Sequence, residues 1–351
     1  MEPKKLREVQ RFLAENNCEG LLLVNSGWAK RDPNVFYVLQ TDVENGLVWI
    51  PRRGRPCGVI PGFEYVRVAR SSPIPVEKGP RNLFEWLKRV NKGRVAVNGA
   101  FFSLAEQSQL RRFFPGVHIK DSGDVFARVR LVKTEDELEK LSIAARLTDK
   151  IFAGFMSELC VDITEEYARK KLLSLIAEQG LEVSFDPIVA SGANAAVPHH
   201  HADATKLAGF TVLDWGVKYK GYCSDITRTV FVGRPAGKDR ELYARLLRVQ
   251  ELGIRESCPN AQVVDVERKV RKNLGKLSKF FIHRLGHSLG IEVHDVTPSS
   301  PVVFQKNMVW TVEPGVYIPN KLGIRIEDDI VITRSRARVL TKFPKELIVI
   351  K

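Results

Sequence analysis

The chain has 351 residues, 44% hydrophobic and 27% charged, a composition that fits a soluble globular protein with room for two domains of ~150 residues. No apolar run approaches the ~18 residues of a membrane span, and the charged opening MEPKKLREVQRFLAENN lacks the apolar centre of a secretory signal. Five cysteines (18, 57, 160, 223 and 258), in no C-x-x-C pair, argue against a disulfide framework or a thiolate zinc site and for a reducing, cytoplasmic setting.

Lys plus Arg exceeds Asp plus Glu by 55 − 41 = 14. Residues 1–130 hold 22 basic and 13 acidic side chains, so most of the excess lies there, with a local group at Lys88, Arg89, Lys92 and Arg94. Such a surface attracts polyanions. No interleaved aromatics, helix-turn-helix or zinc-finger spacing accompany it, so a solvated basic face is the expectation and nucleic acid is not an expected partner.

In chain order, Leu6, Val9, Phe12 and Leu13 lie at helical spacing, and Gly20–Val24 (GLLLV) reads as a strand. Val35–Leu39, Leu47–Pro51 and Arg94–Val97 also read as strands, with a helix near Asn82–Val90. Thr134 followed three residues later by Glu137 forms a capping box. The helix it opens carries Leu138, Leu141, Ala145, Ile151, Phe152 and Phe155, which places a domain boundary near residue 130: domains 1–130 and 131–351. Asp162-Ile163-Thr164-Glu165 opens another helix, ended at Gly180, where glycine suits a left-handed turn. Helices over about 237–256 and 262–278 lie between strand-rich segments, so the fold class is α+β.

Two hairpins carry the acids. Thr211–Val217 and Tyr222–Phe231 read as strands around a turn at Lys218–Gly221. Pairing Asp214 with Asp225 centres that turn between Tyr219 and Lys220 and sets the two carboxylates opposite one another. Downstream, pairing Glu313 with Glu327 centres a loop on Asn320. Like charges directly opposite in apolar strands are destabilising, so each pair must share a proton or bind a cation. Two pairs point to more than one metal charge.

Six of the seven histidines fall in two groups, His199-His200-His201 and His283, His287 and His294. The second group lies between the hairpins, in a stretch that reads as a strand breaking into a loop. One imidazole among four carboxylates suits manganese, cobalt, iron or zinc, and two such ions could activate a water for amide hydrolysis. A rival motif, Gly286-His287-Ser288-Leu289-Gly290, matches the G-x-S-x-G of serine hydrolases. That elbow needs a helix directly after it and a histidine further along, and here Ile291–His294 alternates like a strand and no later histidine exists. No complete Walker loop or G-x-G-x-x-G is present.

Seven segments together resemble the proline-peptidase branch of the pita-bread metallopeptidases, the family of prolidase and aminopeptidase P. They are Phe185–Gly192, Pro198-His199, Asp214-Trp215-Gly216, Ser224–Thr229, Gly286–Gly290, Val312–Gly315 and Arg325–Asp328. The resemblance covers roughly residues 131–351; the first 130 are similar in size and alternation to a creatinase-type N-terminal domain. It implies a pseudo-twofold catalytic domain holding two divalent ions (Mn, Co or Zn). In that reading Asp214 binds one ion, His287 and Glu313 the other, and Asp225 and Glu327 bridge both. It further implies Glu313 as general base, His294 steadying the substrate carbonyl, His199 and His283 lining the cleft, and Arg325 supporting the metal site. The substrates implied are peptides with proline second, and the assembly a homodimer.

Two departures stand out. His200 and His201 differ from the usual residues after Pro-His. Dipeptide-only members commonly carry an arginine four residues after the histidine matched by His294, where this chain has Pro298, a departure that leans away from a strict dipeptidase. A non-catalytic peptide- or nucleic-acid-binding module would have no reason to keep all five ligands. Methionine aminopeptidase shares the ligand set but usually lacks so long an N-terminal domain.

Overall fold

The computed structural model describes residues 1–27, 31–90 and 93–351, which divide into units spanning Met1–Val129 and Arg130–Lys351. Lys92, one of the four grouped basic residues, lies outside the described residues.

In the first unit, α1 (Pro3–Glu15) leads into β1 (Cys18–Ser26), followed by α2 (Pro33–Leu39), β2 (Asn45–Pro51), β3 (Cys57–Ile60), α3 (Gly62–Ser71), β4 (Val76–Lys78), β5 (Arg94–Val97), α4 (Leu104–Phe113) and β6 (His118–Asp121). The strands form a mixed sheet in the order β4-β3-β2-β1-β5-β6. Leu21, Leu22 and Leu23 of the inner strand β1 are all buried, as a strand covered on both faces requires. Two expectations need correction. Val35–Leu39 is not a strand but helix α2, because Asp32 caps it by accepting from the Asn34 N–H at 2.9 Å and Pro33 occupies the first turn. Five apolar residues are too few for periodicity to separate helix from strand. The helix near Asn82–Val90 is a 3-10 helix over Leu83–Arg89.

After α5 (Val125–Leu131), the second unit repeats one construction twice: a pair of helices laid on a hairpin. α6 (Glu135–Met156) opens on the reciprocal capping box, Thr134 Oγ1 accepting from the Glu137 N–H at 3.2 Å and Glu137 Oε2 accepting from the Thr134 N–H at 2.7 Å. α7 (Glu165–Glu178) starts at the Thr164 cap, and Gly180 just beyond it has φ +66°. Short strands β7 (Glu182–Val183) and β8 (Ile188–Ser191) precede the first hairpin, formed by β9 (Gly209–Trp215), β10 (Val217–Tyr219), β11 (Tyr222–Cys223) and β12 (Ile226–Val232). Phe152, Phe155, Leu172, Ile176, Leu213, Trp215 and Val230 form the core between helices and hairpin. Next come α8 (Gly237–Glu256) and α9 (Val263–Leu274), then the second hairpin, β13 (Val309–Val312), β14 (Gly315–Ile318), β15 (Leu322–Arg325) and β16 (Asp328–Ile332). Tyr243, Leu246, Val270, Trp310, Val312 and Ile330 fill that second core. β17 (Ala337–Val339) pairs with β16, and β18 (Val349–Ile350) pairs with β12.

The second hairpin keeps the expected register: Gly315 faces Arg325, Val312 faces Asp328, and Asn320 at the midpoint has φ +58°. The first does not. Tyr219 pairs with Tyr222, so the turn is the dipeptide Lys220-Gly221, and Asp214 faces Thr227 rather than Asp225. Lys220 and Gly221 have φ +48° and +80°, the double left-handed geometry that a two-residue hairpin turn requires. The slip is two residues, so the side-chain face is preserved. Both hairpins also break at three of the acids: Gly216, Ser224, Asp225, Glu313, Pro314, Ile326 and Glu327 stand outside the ladders, while Asp214 stays within β9.

A polar seam joins the hairpins. All seven residues of β12 are buried, yet Thr227, Arg228 and Thr229 are among them. The Glu327 N–H donates to the Thr227 carbonyl at 3.1 Å, Thr229 Oγ1 donates to the Arg325 carbonyl at 2.8 Å, and Arg228 Nη2 donates to Asp328 Oδ1 at 2.8 Å. These bonds bring Glu327 beside the strand that carries Asp214.

Candidate metal centre

A cavity of about 530 Å³ opens between the hairpins. Asp214, Asp225, His287, Glu313 and Glu327 line it, as do His199, His283, His294 and Arg325. The segment bearing the last three histidines is not a regular strand. It runs beside β13 through bonds from the Glu313, Thr311 and Leu289 N–H groups to the carbonyls of Leu285, His287 and Val309, with a single bridge at Ser288 and Trp310. A Cβ at Gly286 would lie 1.9 Å from the Thr311 carbonyl oxygen, so only glycine admits this approach.

His287 Nδ1 bonds to the Ser288 carbonyl at 3.2 Å, which fixes the proton there and leaves the Nε2 lone pair facing inward. Nε2 lies 3.6 Å from Asp225 Oδ2 and 3.4 Å from Glu313 Oε1. Ligand atoms of Asp225, His287 and Glu327 all fall within 4.8 Å of one another. Arg325 is spent on support: its guanidinium donates to Asp214 Oδ2 at 2.5 Å, the Tyr317 hydroxyl at 2.7 Å and Thr227 Oγ1 at 3.1 Å. The Tyr317 hydroxyl in turn meets His283 Nε2 at 2.9 Å, while His283 Nδ1 bonds to the Arg284 carbonyl. The rings of His287 and His294 lie 4.1 Å apart. His199 is exposed at the cavity edge.

The electrostatics are those of a cation site. Burial, with Glu327 and Asp214 close by, holds the Asp225 carboxyl well above the usual range. Burial and then Glu313 do the same to Glu327, and burial pushes Glu313 up to about 8. Burial also pushes His287 down to about 3, with His294 adding to it, so its imidazole is neutral, the form that binds metal. Asp214 Oδ1, Asp225 Oδ1 and Glu327 Oε1 are buried and make no hydrogen bond among the described residues. Orphaned buried carboxylate oxygens facing an imidazole lone pair are costly unless a cation lies among them. Were all four carboxylates charged on cation binding, their excess over the one guanidinium would exceed what a single divalent ion cancels, and a second would more than cover it. The donor set therefore fits two hard or borderline ions.

Several contributors gave no signal in the sequence. Thr227 Oγ1 donates to Glu327 Oε2 at 2.6 Å, and buried Asp329 accepts from the Asp225 N–H at 2.9 Å. Polar residues in the otherwise apolar β12 were the only available hint. His200 does not join the metal residues: its Nε2 meets Glu165 Oε2 at 2.7 Å. The same Glu165 carboxylate accepts from the N–H groups of Ser191 and Asp203 and from the Asn194 amide, so it staples the loop that carries His199. His201 is exposed at the cavity. Ser288 is fully buried and no helix follows it, which removes the serine-nucleophile alternative.

Residues 139–334 match the sequence profile of metallopeptidase family M24, and residues 5–132 that of the creatinase/prolidase N-terminal domain. The chain is 30% identical to an Xaa-Pro dipeptidase of Pyrococcus furiosus over 98% of its own length and 99% of that protein. A solved Xaa-Pro dipeptidase from Bacillus anthracis superposes with a TM-score of 0.90 at 28% identity, covering 99% of each chain. A solved X-Pro aminopeptidase from Thermotoga maritima superposes with a TM-score of 0.88 at 25% identity, covering 97% of this chain and all of that one.

Proposed function

Because the chain belongs to metallopeptidase family M24, we propose that it hydrolyses the Xaa-Pro bond at the N-terminus of short peptides, with two divalent ions as cofactor. The observation that carries this reading is the meeting of Asp214, Asp225, His287, Glu313 and Glu327 in one cavity with three buried carboxylate oxygens unpaired. Asp214 would hold one ion, His287 and Glu313 the other, with Asp225 and Glu327 shared between them. Bound there, the ions would supply Lewis acidity and an activated water.

The side chains divide the remaining work. Glu313 takes the proton of the attacking water as general base. His294 donates to the carbonyl oxygen as negative charge develops on it, an interaction worth on the order of 3 kcal/mol in the transition state. Arg325 holds Asp214 in place through its guanidinium, while His283, fixed by Tyr317, and His199 at the cavity edge flank the proline. The five unpaired cysteines support a cytoplasmic setting; the homodimer and the choice among Mn, Co and Zn rest on the family resemblance.

The test is a panel of Ala-Pro, Ala-Pro-Ala, Met-Ala and Ala-Ala-Pro with metal-loaded protein. Cleavage before the second-position proline is expected, together with loss on chelation and recovery with Mn²⁺, Co²⁺ or Zn²⁺. Ala-Pro alone would mark a dipeptidase, and Ala-Pro-Ala an aminopeptidase. Preferential cleavage of Met-Ala, or undiminished turnover in metal-free protein, would overturn the proposal.

A further inference from the structure

We propose that Arg130 is a positioning residue for the reaction, setting His294 over the metal centre by gripping the carboxylates on either side of it. This rests on the role given to His294 above. His294 itself is exposed to the cavity, and its backbone makes no hydrogen bond among the described residues. Its neighbours are held firmly. Arg130 Nη2 donates to Glu292 Oε2 at 2.6 Å, two residues before His294, and to Oδ1 of Asp295, the residue directly after it. Lys133 Nζ reaches Asp295 Oδ2 at 3.5 Å and Ser288 Oγ at 3.4 Å. The Asp295 N–H donates to the Ser288 carbonyl at 2.8 Å, tying this end of the loop to the residue after His287. Close packing completes the fit, since a Cβ at Gly290 would fall 2.0 Å from Asp295 Oδ2.

Arg130 and Asp295 are buried, at 2% and 6% exposure. A buried ion pair of this kind is poor value for stability, because an apolar replacement of similar volume is often neutral or better, and its best-attested use is to fix one geometry. Here the geometry fixed is that of an imidazole that makes no hydrogen bond among the described residues and meets the His287 ring at 4.1 Å. An error of about 1 Å in such a group costs on the order of 10²-fold in rate.

The test is a double-mutant cycle on the metal-loaded protein, following Ala-Pro hydrolysis: Arg130→Met, His294→Ala and the pair, with Asp295→Asn in place of Arg130→Met if that variant fails to fold. Arg130→Met is expected to lower kcat roughly 10- to 100-fold with KM changed less than about threefold. In the His294→Ala background the same substitution is expected to add less than about threefold, and Arg130→Lys to recover part of the loss. An equal kcat loss in both backgrounds would mean general structural damage and overturn the proposal, as would wild-type kcat in Arg130→Met. Wild-type kcat in His294→Ala would overturn it together with the role of His294, while absence of any Xaa-Pro cleavage by the unmutated protein would instead remove the activity on which both rest.

Discussion

Replacing Gly286 by alanine adds one methyl group, and the geometry says what it must displace. The new Cβ would stand 1.9 Å from the Thr311 carbonyl oxygen, 2.7 Å from its carbon and 2.9 Å from its Oγ1. Backbone atoms cannot rotate away as a flexible side chain can, so the His287 segment must separate from β13 by about 1.1 Å to bring the closest contact to 3.0 Å. That displacement strains the bonds between Thr311 and His287, at 2.9 Å and 3.0 Å, and moves Nε2 relative to Asp225 and Glu313. Overpacking of this kind costs about 1–3 kcal/mol of stability, and a shift of ~1 Å in a ligand costs roughly 10²-fold in turnover. Urea unfolding with metal titration by calorimetry reads both quantities, and Gly180→Ala, strained only by its left-handed φ of +66°, serves as the comparison. Wild-type metal affinity and kcat in Gly286→Ala would show that the close approach is not needed and refute the reasoning.

Glu313→Gln is isosteric and is expected to leave the fold intact while nearly abolishing turnover, checked by circular dichroism and steady-state assay; full activity would reassign the base. Thr227→Val removes a hydroxyl that both donates to Glu327 and accepts from Arg325 Nε. Leaving that buried guanidinium N–H unpaired is expected to cost about 1–3 kcal/mol, measured by urea unfolding, and to weaken metal binding measured by competition with a fluorescent chelator.

How much of this was legible from the sequence depends on the range of the interaction that decided each feature. Capping boxes and turn residues act within a few positions, so α6, α7 and the Asn320 turn could be read directly. The Asp214–Asp225 register could not, because it hinges on which dipeptide takes the left-handed turn, and an assumed symmetric pairing of acids placed it one peptide too early. Val35–Leu39 failed for another local reason: the cap at Asp32 outweighed five apolar residues that carry no clear period. The acids and histidines announced themselves through their residue types at separated positions. Thr227, Tyr317 and Asp329 did not, since each matters only through partners brought close by the tertiary fold, and a threonine in a strand is unremarkable until the opposing glutamate is in view.

The polar seam between the hairpins has a consequence for how the molecule becomes functional. Thr227 and Glu327 are 100 positions apart, and Asp225 of the first repeat meets His287 and Glu327 of the second within 4.8 Å, so the proposed site is complete only when the two repeats are docked. Under the proposed ligand set, cation binding would be linked to assembly: occupancy of the complete site would stabilise the docked state, by RT ln(1 + [M]/Kd) for each independent site. Contacts of such long range form slowly, so ion uptake by the proposed site would report the final docking step during refolding.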